Sequence, residues 1–401
     1  MDGTTVQKLG PAALLAVLVV AAVVVVMGLL VSRRRARAPG RPKSRKVGAG
    51  SDVIRRDLDR MAESGGGLGE SEPEVKQPFE LGRAAMTAFK WDEAIGHFRQ
   101  AQAQANRAQL VPLLNQVGVC YYFLGRLSNA LREFRESDRL AENERDRQGR
   151  AAALNNAGVI RHEYGELDGA LEQFGKALDL AREASDERLA ATCLGNTGTV
   201  QREKGELDNA LKSHQDALSI SLRINDQMGV VSALGNAASV RRDKGDLDKA
   251  LEFYTEAALA SRQVGDDYGH TLVLGGIGGV HNDRGDLKRA LRFHEDALGG
   301  ARRIGYRLGA ATELGNVGLI LEKRGVPTQA APSLLEALNI LKTVGVDRGE
   351  PQLLQGLSRC DDELGRTRME ELSRQAGLTA EDAAQTLDWV DQIRRRRPRK
   401  R

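Results

Sequence analysis

Residues 151–190 read AAALNNAGVIRHEYGELDGALEQFGKALDLAREASDERLA, and the next forty, 191–230, begin ATCLGNTGTVQREKGELDNAL. The two blocks align without a gap. Taking the alanine of the G-x-L-D-x-A-L segment as a marker, it recurs as Ala130, Ala170, Ala210, Ala250, Ala290 and Ala330, with a shorter step back to Ala94. A fixed period of this length means stacked copies of one supersecondary unit, in which each copy buries its apolar face on its neighbours. That periodicity outranks any local motif in deciding the fold.

Within a copy the pattern predicts helix, turn, helix. Leu154, Ala157, Gly158 and Ile160 recur at helical spacing before Gly165 stops the first segment. Ala170, Leu171, Phe174, Ala177, Leu178 and Ala181 do the same in the second. Asp168, with Asp208, Asp248, Asp92 and Ser128 in other copies, stands where an N-cap is expected. Gly158, Gly198, Gly278 and Gly318 share one repeat position. A mid-helix glycine costs about 1 kcal/mol relative to alanine, so tight packing must compensate it there.

These residues resemble the tetratricopeptide repeat family, whose small and large positions fall on Leu154, Gly158, Ala170, Phe174 and Ala177, then on Leu194, Gly198, Ala210, His214 and Ala217. The forty-residue spacing and the recurring LGNxG, at Leu194 and Leu314, are similar to the Pins/LGN and kinesin-light-chain subgroup. The resemblance covers roughly residues 75–376 and departs from pattern in the short first copy and at Pro327 and Pro332, which are expected to end the regular superhelix. It implies an all-α, right-handed α-solenoid whose first helices line a groove for an extended or helical peptide. Carried over by position, that groove presents Gln116, Asn156, Asn196, Asn236, Gly276 and Asn316. An amide both donates to and accepts from a peptide backbone. The alternative is that these amides bond the neighbouring repeat. Arg202 with Glu203, Arg242 with Asp243, and His162 with Glu163 are read as adjacent charges in or near the groove, or as a solvated helix end. Tyr121, Tyr122 and Phe123 read as core or as an apolar end to the groove.

Outside the repeats, residues 12–31 read AALLAVLVVAAVVVVMGLLV, twenty residues without a polar side chain. As a helix they reach about 30 Å, the thickness of a bilayer's hydrocarbon core. A cleavable signal peptide is the competing reading, with an A-x-A-like triplet at Ala36 to Ala38. Against it, the basic cluster follows the apolar run, the reverse of a signal peptide's layout. The expectation is a single-pass anchor with residues 1–11 outside. Arg33, Arg34, Arg35, Arg37, Arg41, Lys43, Arg45 and Lys46 then place the body in the cytoplasm. Residues 32–77 read as a basic, then flexible linker, 78–376 as the solenoid, and 377–401 as a capping helix and basic tail.

The chain has 401 residues and a formal charge of +4, which conceals polarity. Without the eight basic residues of 33–46 and the seven of 394–401, 44 basic face 55 acidic residues, a net of −11. The basic ends suit an anionic lipid surface. Aromatics at 4% are too few for a base-stacking surface, and no specific nucleic-acid partner is expected. Cys120, Cys193 and Cys360 are isolated and read as buried, reduced thiols. The six histidines form no metal spacing, and no P-loop, nucleophile elbow or dinucleotide fingerprint occurs, so neither an enzyme nor a cofactor is expected. What the sequence supports is a membrane-anchored scaffold for a protein or peptide partner. A self-associating membrane assembly, in which the chain forms homo-oligomers, and a peptide-sensing regulator stand as alternatives.

Overall fold

The computed structural model describes residues 68, 72–88, 90–343 and 351–396. Seventeen α-helices and no strand occur among the described residues. In order these are α1 (Pro73–Thr87), α2 (Trp91–Gln104), α3 (Arg107–Phe123), α4 (Leu127–Asn143), α5 (Arg147–Glu163), α6 (Leu167–Glu183), α7 (Glu187–Glu203), α8 (Leu207–Arg223) and α9 (Gln227–Asp243). They continue as α10 (Leu247–Val264), α11 (Asp267–Asp283), α12 (Leu287–Arg303), α13 (Arg307–Lys323), α14 (Pro327–Thr343), α15 (Pro351–Leu364), α16 (Arg366–Gln375) and α17 (Ala380–Arg396). Each odd helix pairs with the even helix after it, each even helix packs on the next odd one, and from α3 to α15 successive odd helices also touch. The result is a helical-repeat solenoid with an inner face where odd helices meet.

The repeat glycine explains how closely the pair packs. A Cβ on Gly158 would sit 2.6 Å from Cε1 of Phe174, and one on Gly198 2.7 Å from Cε1 of His214. Gly82 and Gly118 meet Phe98 and Phe134 in the same way, and Gly278 and Gly318 meet His294 and Leu334. Contact across the whole ring offsets the propensity cost of the glycine. The fourth full copy breaks the rule, because Ala238 stands at the glycine position. There the Tyr254 ring reaches Gly276 of the following repeat, at a point where a side-chain Cβ would collide with it. Gly276 thus interrupts the row of amides because the tyrosine needs its space.

Turns between paired helices use Gly125, Gly165, Gly205, Gly245, Gly285 and Gly325, all at positive φ. The left-handed backbone there favours a residue without a Cβ. Capping differs from expectation. The residues before α6, α8 and α10 are Glu166, Glu206 and Asp246, none of which makes a side-chain cap bond. Asp168, Asp208 and Asp248 are the second residues of these helices, within the first turn. Aspartate caps sit on odd helices at Asp146, Asp186, Asp226 and Asp266, which accept from the backbone N–H three residues on, and α12 is capped in the same way by Asp286. Position alone did not reveal this, because the aspartate two residues into a helix also complements its dipole.

Other boundaries shift. Helix α1 begins at Pro73 and buries Val75 and Phe79, so residues 73–77, read as linker, belong to the first helix. The short first copy keeps both helices and loses its residues from α2, which has 14 residues against 17 in α4. Pro327 opens α14 and Pro332 lies inside it, yet α14 is continuous, and α15 packs on both α14 and α13. The prolines do not end the stack. Helices α16 and α17 close it, with Met369, Leu372, Leu387 and Val390 buried in one cluster with α14 and α15 residues. Arg394, counted with the basic tail, pairs with Asp361 and Asp362. Among the described residues no helix is long and apolar enough to cross a membrane. The expected span at 12–31, most of the linker and the tail beyond Arg396 lie outside the described residues.

Candidate ligand-binding face

The inner face is built from the odd helices, and each one ends on a polar pair that meets the next. Tyr122 Oη donates to Glu163 Oε1 at 3.0 Å. His162 Nε2 meets Glu203 Oε1 at 3.0 Å, and Arg202 Nε donates to Asp243 Oδ2 at 2.5 Å. Arg242 Nη2 donates to Asp283 Oδ1 at 3.1 Å, Lys323 Nζ to Asn282 Oδ1 at 3.1 Å, and Arg359 Nε to Glu322 Oε1 at 2.6 Å. Five of these six contacts span 41 residues, one repeat plus one position. The adjacent charges read as groove groups or a solvated helix end pair across the repeat joint, Arg202 with Asp243 and Arg242 with Asp283. Burial disfavours the Arg242 charge, but hydrogen bonding and attraction from Asp283 outweigh it, holding the guanidinium above its ordinary value.

Beneath this row lie the amides. Gln116, Asn156, Asn196 and Asn236 are buried, while Asn316 is partly exposed. Asn196 Nδ2 donates to Asn155 Oδ1 of the preceding repeat at 3.0 Å. Asn316 Nδ2 reaches Glu313 Oε2 at 3.4 Å, and the same oxygen meets His294 Nδ1 at 2.6 Å. Two of the amides therefore hold protein partners, and the groups at the face itself are the charged and polar row. Sequence reasoning named Arg202 and Arg242 but missed Asp243 and Asp283 as their partners. The signal was present as acids recurring one residue after each arginine position, once the odd helices are known to touch.

Of the aromatic triplet, Tyr122 is in the core and Tyr121 and Phe123 pack against it partly buried. Tyr122 is buried, and Phe123 stacks on Trp91 with ring centroids 4.4 Å apart. His214 and His294 are also buried, at the position that carries phenylalanine in other copies. Burial, with the nearby Arg202 charge, pushes the His214 pKa down to about 3, so the ring is neutral at neutral pH. All three cysteines are buried and form no disulfide, and burial pushes Cys120 and Cys360 up to about 12. No group of His, Cys, Asp and Glu suited to a metal occurs among the described residues.

A second row fastens the other side of the joint. Asp92 pairs with Arg126 at 3.0 Å and Asp168 with Lys204 at 2.9 Å, and Asp208 and Asp248 pair with Lys244 and Arg284. The aspartates read as caps are therefore links to the following repeat.

Regular helix pairs, glycine-to-ring packing and a polar row at each joint define an α-helical repeat scaffold. A sequence model of the tetratricopeptide repeat matches residues 109–183, 149–223 and 229–303. No curated protein sequence matches it. Among solved structures, a Rap protein complexed with Competence and Sporulation Factor is similar in fold, with a TM-score of 0.54 at 16% identity over 80% of this chain and 93% of that one. The Rap conjugation gene regulator of plasmid pLS20 in complex with the Phr* peptide gives 0.54 at 14% identity, over 86% and 96% of the two chains. The apo quorum sensor NprR from B. thuringiensis gives 0.53 at 16% identity, over 85% and 97%.

Proposed function

We propose that this chain is a non-enzymatic adaptor that binds a partner protein or peptide along the inner face of its solenoid. The observation that carries the reading is the polar row from Tyr122 to Arg359. It offers one polar contact per repeat, with opposite charges at Arg202–Asp243, Arg242–Asp283 and Arg359–Glu322, an arrangement that an extended chain can follow. Exposed or half-buried ion pairs contribute about 0–1 kcal/mol each. A ligand carboxylate or amide can therefore exchange into such a pair at little cost, whereas a buried pair would resist. Two similar folds were solved with a peptide or signalling factor, which supports the peptide as ligand class and a sensing role.

The rest of the reading comes from sequence. The apolar run at 12–31 with its basic flank supports anchoring at a membrane with the repeats on the cytoplasmic side, where the basic ends can approach anionic lipid. The forty-residue period keeps the likeness to Pins/LGN and kinesin-light-chain repeats within this proposal.

The test is capture of partners by the full-length chain and by its Arg202→Glu, Arg242→Glu variant. Loss of the captured set from a variant with an unchanged helical spectrum supports the inner face as the site; an unchanged set refutes it. Protease protection of membranes tests the topology, and a body shielded on the far side overturns it.

A further inference from the structure

The outer face, made by even helices, carries two comparable clefts that differ in charge. The first, about 700 Å³, lies along α4 and is lined by Arg99, Arg132 and Arg139 together with Glu133 and Glu136. Three of its four arginines are answered from within, since Arg99 and Arg132 pair with Glu133 and Arg139 pairs with Glu136, while Arg135 also lines it. The second, about 480 Å³, runs between α10 and α12 with α11 as its floor. Leu251, Leu259 and Phe293 give it apolar walls, Arg262, Arg289 and Arg292 rim it, and no carboxylate lines it.

Arg262 is held in place without being neutralised. Its Nε donates to His270 Nε2 at 3.2 Å. With Nε2 accepting, the neutral imidazole carries its proton on Nδ1 and donates it to Ser261 Oγ at 3.0 Å, and that hydroxyl donates to the Ala258 carbonyl at 3.0 Å. Burial and the Arg262 charge both push the His270 pKa down, which keeps the ring in the accepting form at neutral pH. No carboxylate lies within ion-pair distance of Arg262 among the described residues. Arg289 and Arg292 approach only Asp286 at 3.5 Å and Asp296 at 3.9 Å, on their own helix, and both arginines stay at least 70% exposed. Leu259 is 57% exposed beside them and adds apolar surface to the cleft.

We propose that the cleft between α10 and α12 docks an acidic amphipathic helix of a protein partner, its apolar side chains between Leu259 and Phe293 and its carboxylates against Arg262, Arg289 and Arg292. Charge complementarity commits the occupant: three cations over an apolar floor, on a body whose remaining charge is −11, select an acidic segment locally while the rest of the surface repels it. The cleft shape favours a helix over a bilayer, since α10 and α12 stand on either side of the α11 floor. A helix laid in the groove between two others is an ordinary packing geometry, and amphipathic helices dock in such grooves through i, i+3, i+4 and i+7 anchors.

The test uses the full-length chain and a labelled synthetic helix-forming peptide with leucines at i, i+3, i+4 and i+7 and glutamates on its flanks. Two control peptides replace the glutamates by lysine or the leucines by serine. Fluorescence anisotropy is expected to show saturable binding of the acidic peptide below about 100 μM, at least about tenfold tighter than either control, and weakening as salt rises. Arg289→Glu with Arg292→Glu, and separately Leu259→Ser, each weaken it at least about tenfold, a difference of about 1.4 kcal/mol. Arg202→Ala with Arg242→Ala on the inner face leaves it unchanged. The altered outer-face residues are exposed, so these variants keep the wild-type helical spectrum. The proposal is overturned by absence of saturable binding, by equal binding of the lysine peptide, or by binding that survives the outer-face variants and disappears with the inner-face one.

Discussion

The inner and outer faces of this solenoid use the same charged residues under different constraints. On the inner face, Arg202 and Arg242 each find an acid one repeat on, because odd helices touch and every copy repeats the contact. On the outer face the clefts between even helices do not share a partner from one copy to the next. One supplies its own Glu133 and Glu136, while the other leaves Arg262 without a carboxylate. Stacking fixes where the inner positions meet, although their residues run from Tyr122 and His162 to Arg202, Arg242 and Asn282, whereas the outer clefts differ in charge. The inner face therefore combines register with recognition, and the outer face is where one repeat is distinguished from another.

Both faces hang on the packing of ring against glycine, so the largest expected effect removes that shared frame. Phe174 is fully buried against Gly158 in the middle of the array. Phe174→Ala is expected to cost about 3–5 kcal/mol, read as a lower urea midpoint. In a solenoid each repeat depends on its neighbours, so both polar rows near the site loosen together. Hydrogen exchange that rises on one face alone would show that the faces are held independently.

A second break is local and reversible by design. Gly276→Asn restores the amide missing from the inner row, but its Cβ meets the Tyr254 ring. Overpacking of this kind costs about 1–3 kcal/mol. Leucine already occupies the tyrosine's repeat position as Leu334, so Tyr254→Leu in the same chain is expected to recover most of the loss. If the double variant is no more stable than the single one, the tyrosine is not the reason for the glycine.

The helix pairs, their forty-residue step and the small-to-large packing were legible in the sequence because each copy repeats the evidence. Caps and partners were less so. Asp168 and Asp146 are both acids near a helix start, and only the backbone path shows that Asp146 caps while Asp168 reaches Lys204. The inner pairs were hidden for a related reason. Arg202 and Glu203 are neighbours in the chain, and their partners, Asp243 and His162, appear only when one helix is laid on the next. Asn196 shows the limit of carrying a groove over by position, since its amide points into the joint and bonds Asn155. The outer cleft had no sequence signal, because its walls come from two helices separated by a third.

His214 offers a smaller test of how the inner face is insulated. Its pKa falls from about 6.5 in the unfolded chain to about 3 in the fold, through burial first and the Arg202 charge second. The unfolded state therefore takes up the proton first. Stability from this residue is complete above about pH 6.5 and is lost as pH falls toward 3, at no more than about 1.4 kcal/mol per unit. Between about pH 7 and pH 5.5 the expected loss is about 1 kcal/mol. His214→Phe, which installs the ring found in neighbouring copies, should remove that share of the pH dependence in paired urea titrations. An identical slope in both chains would show that His214 is not the group being titrated.

The smallest effect bears most directly on the difference between the faces. A double-mutant cycle on Arg242 and Asp283 isolates one link of the inner row. Both side chains keep about a third of their exposure, 32% and 37%, so the coupling is expected near 0.5 kcal/mol and should shrink as salt is raised. The same cycle on Arg292 and Asp296, at 79% and 55% exposure and 3.9 Å apart, should give a coupling indistinguishable from zero. A weak inner coupling is what recognition requires, because a ligand must displace Asp283 to reach the guanidinium. If the inner pair instead couples by 2 kcal/mol or more, a value in the range of charge pairs removed from water, the row is a structural lock and ligand exchange at that joint becomes too costly. If the outer pair couples as strongly as the inner one, Arg292 is already neutralised, and the contrast between the faces disappears at the residue where it is sharpest.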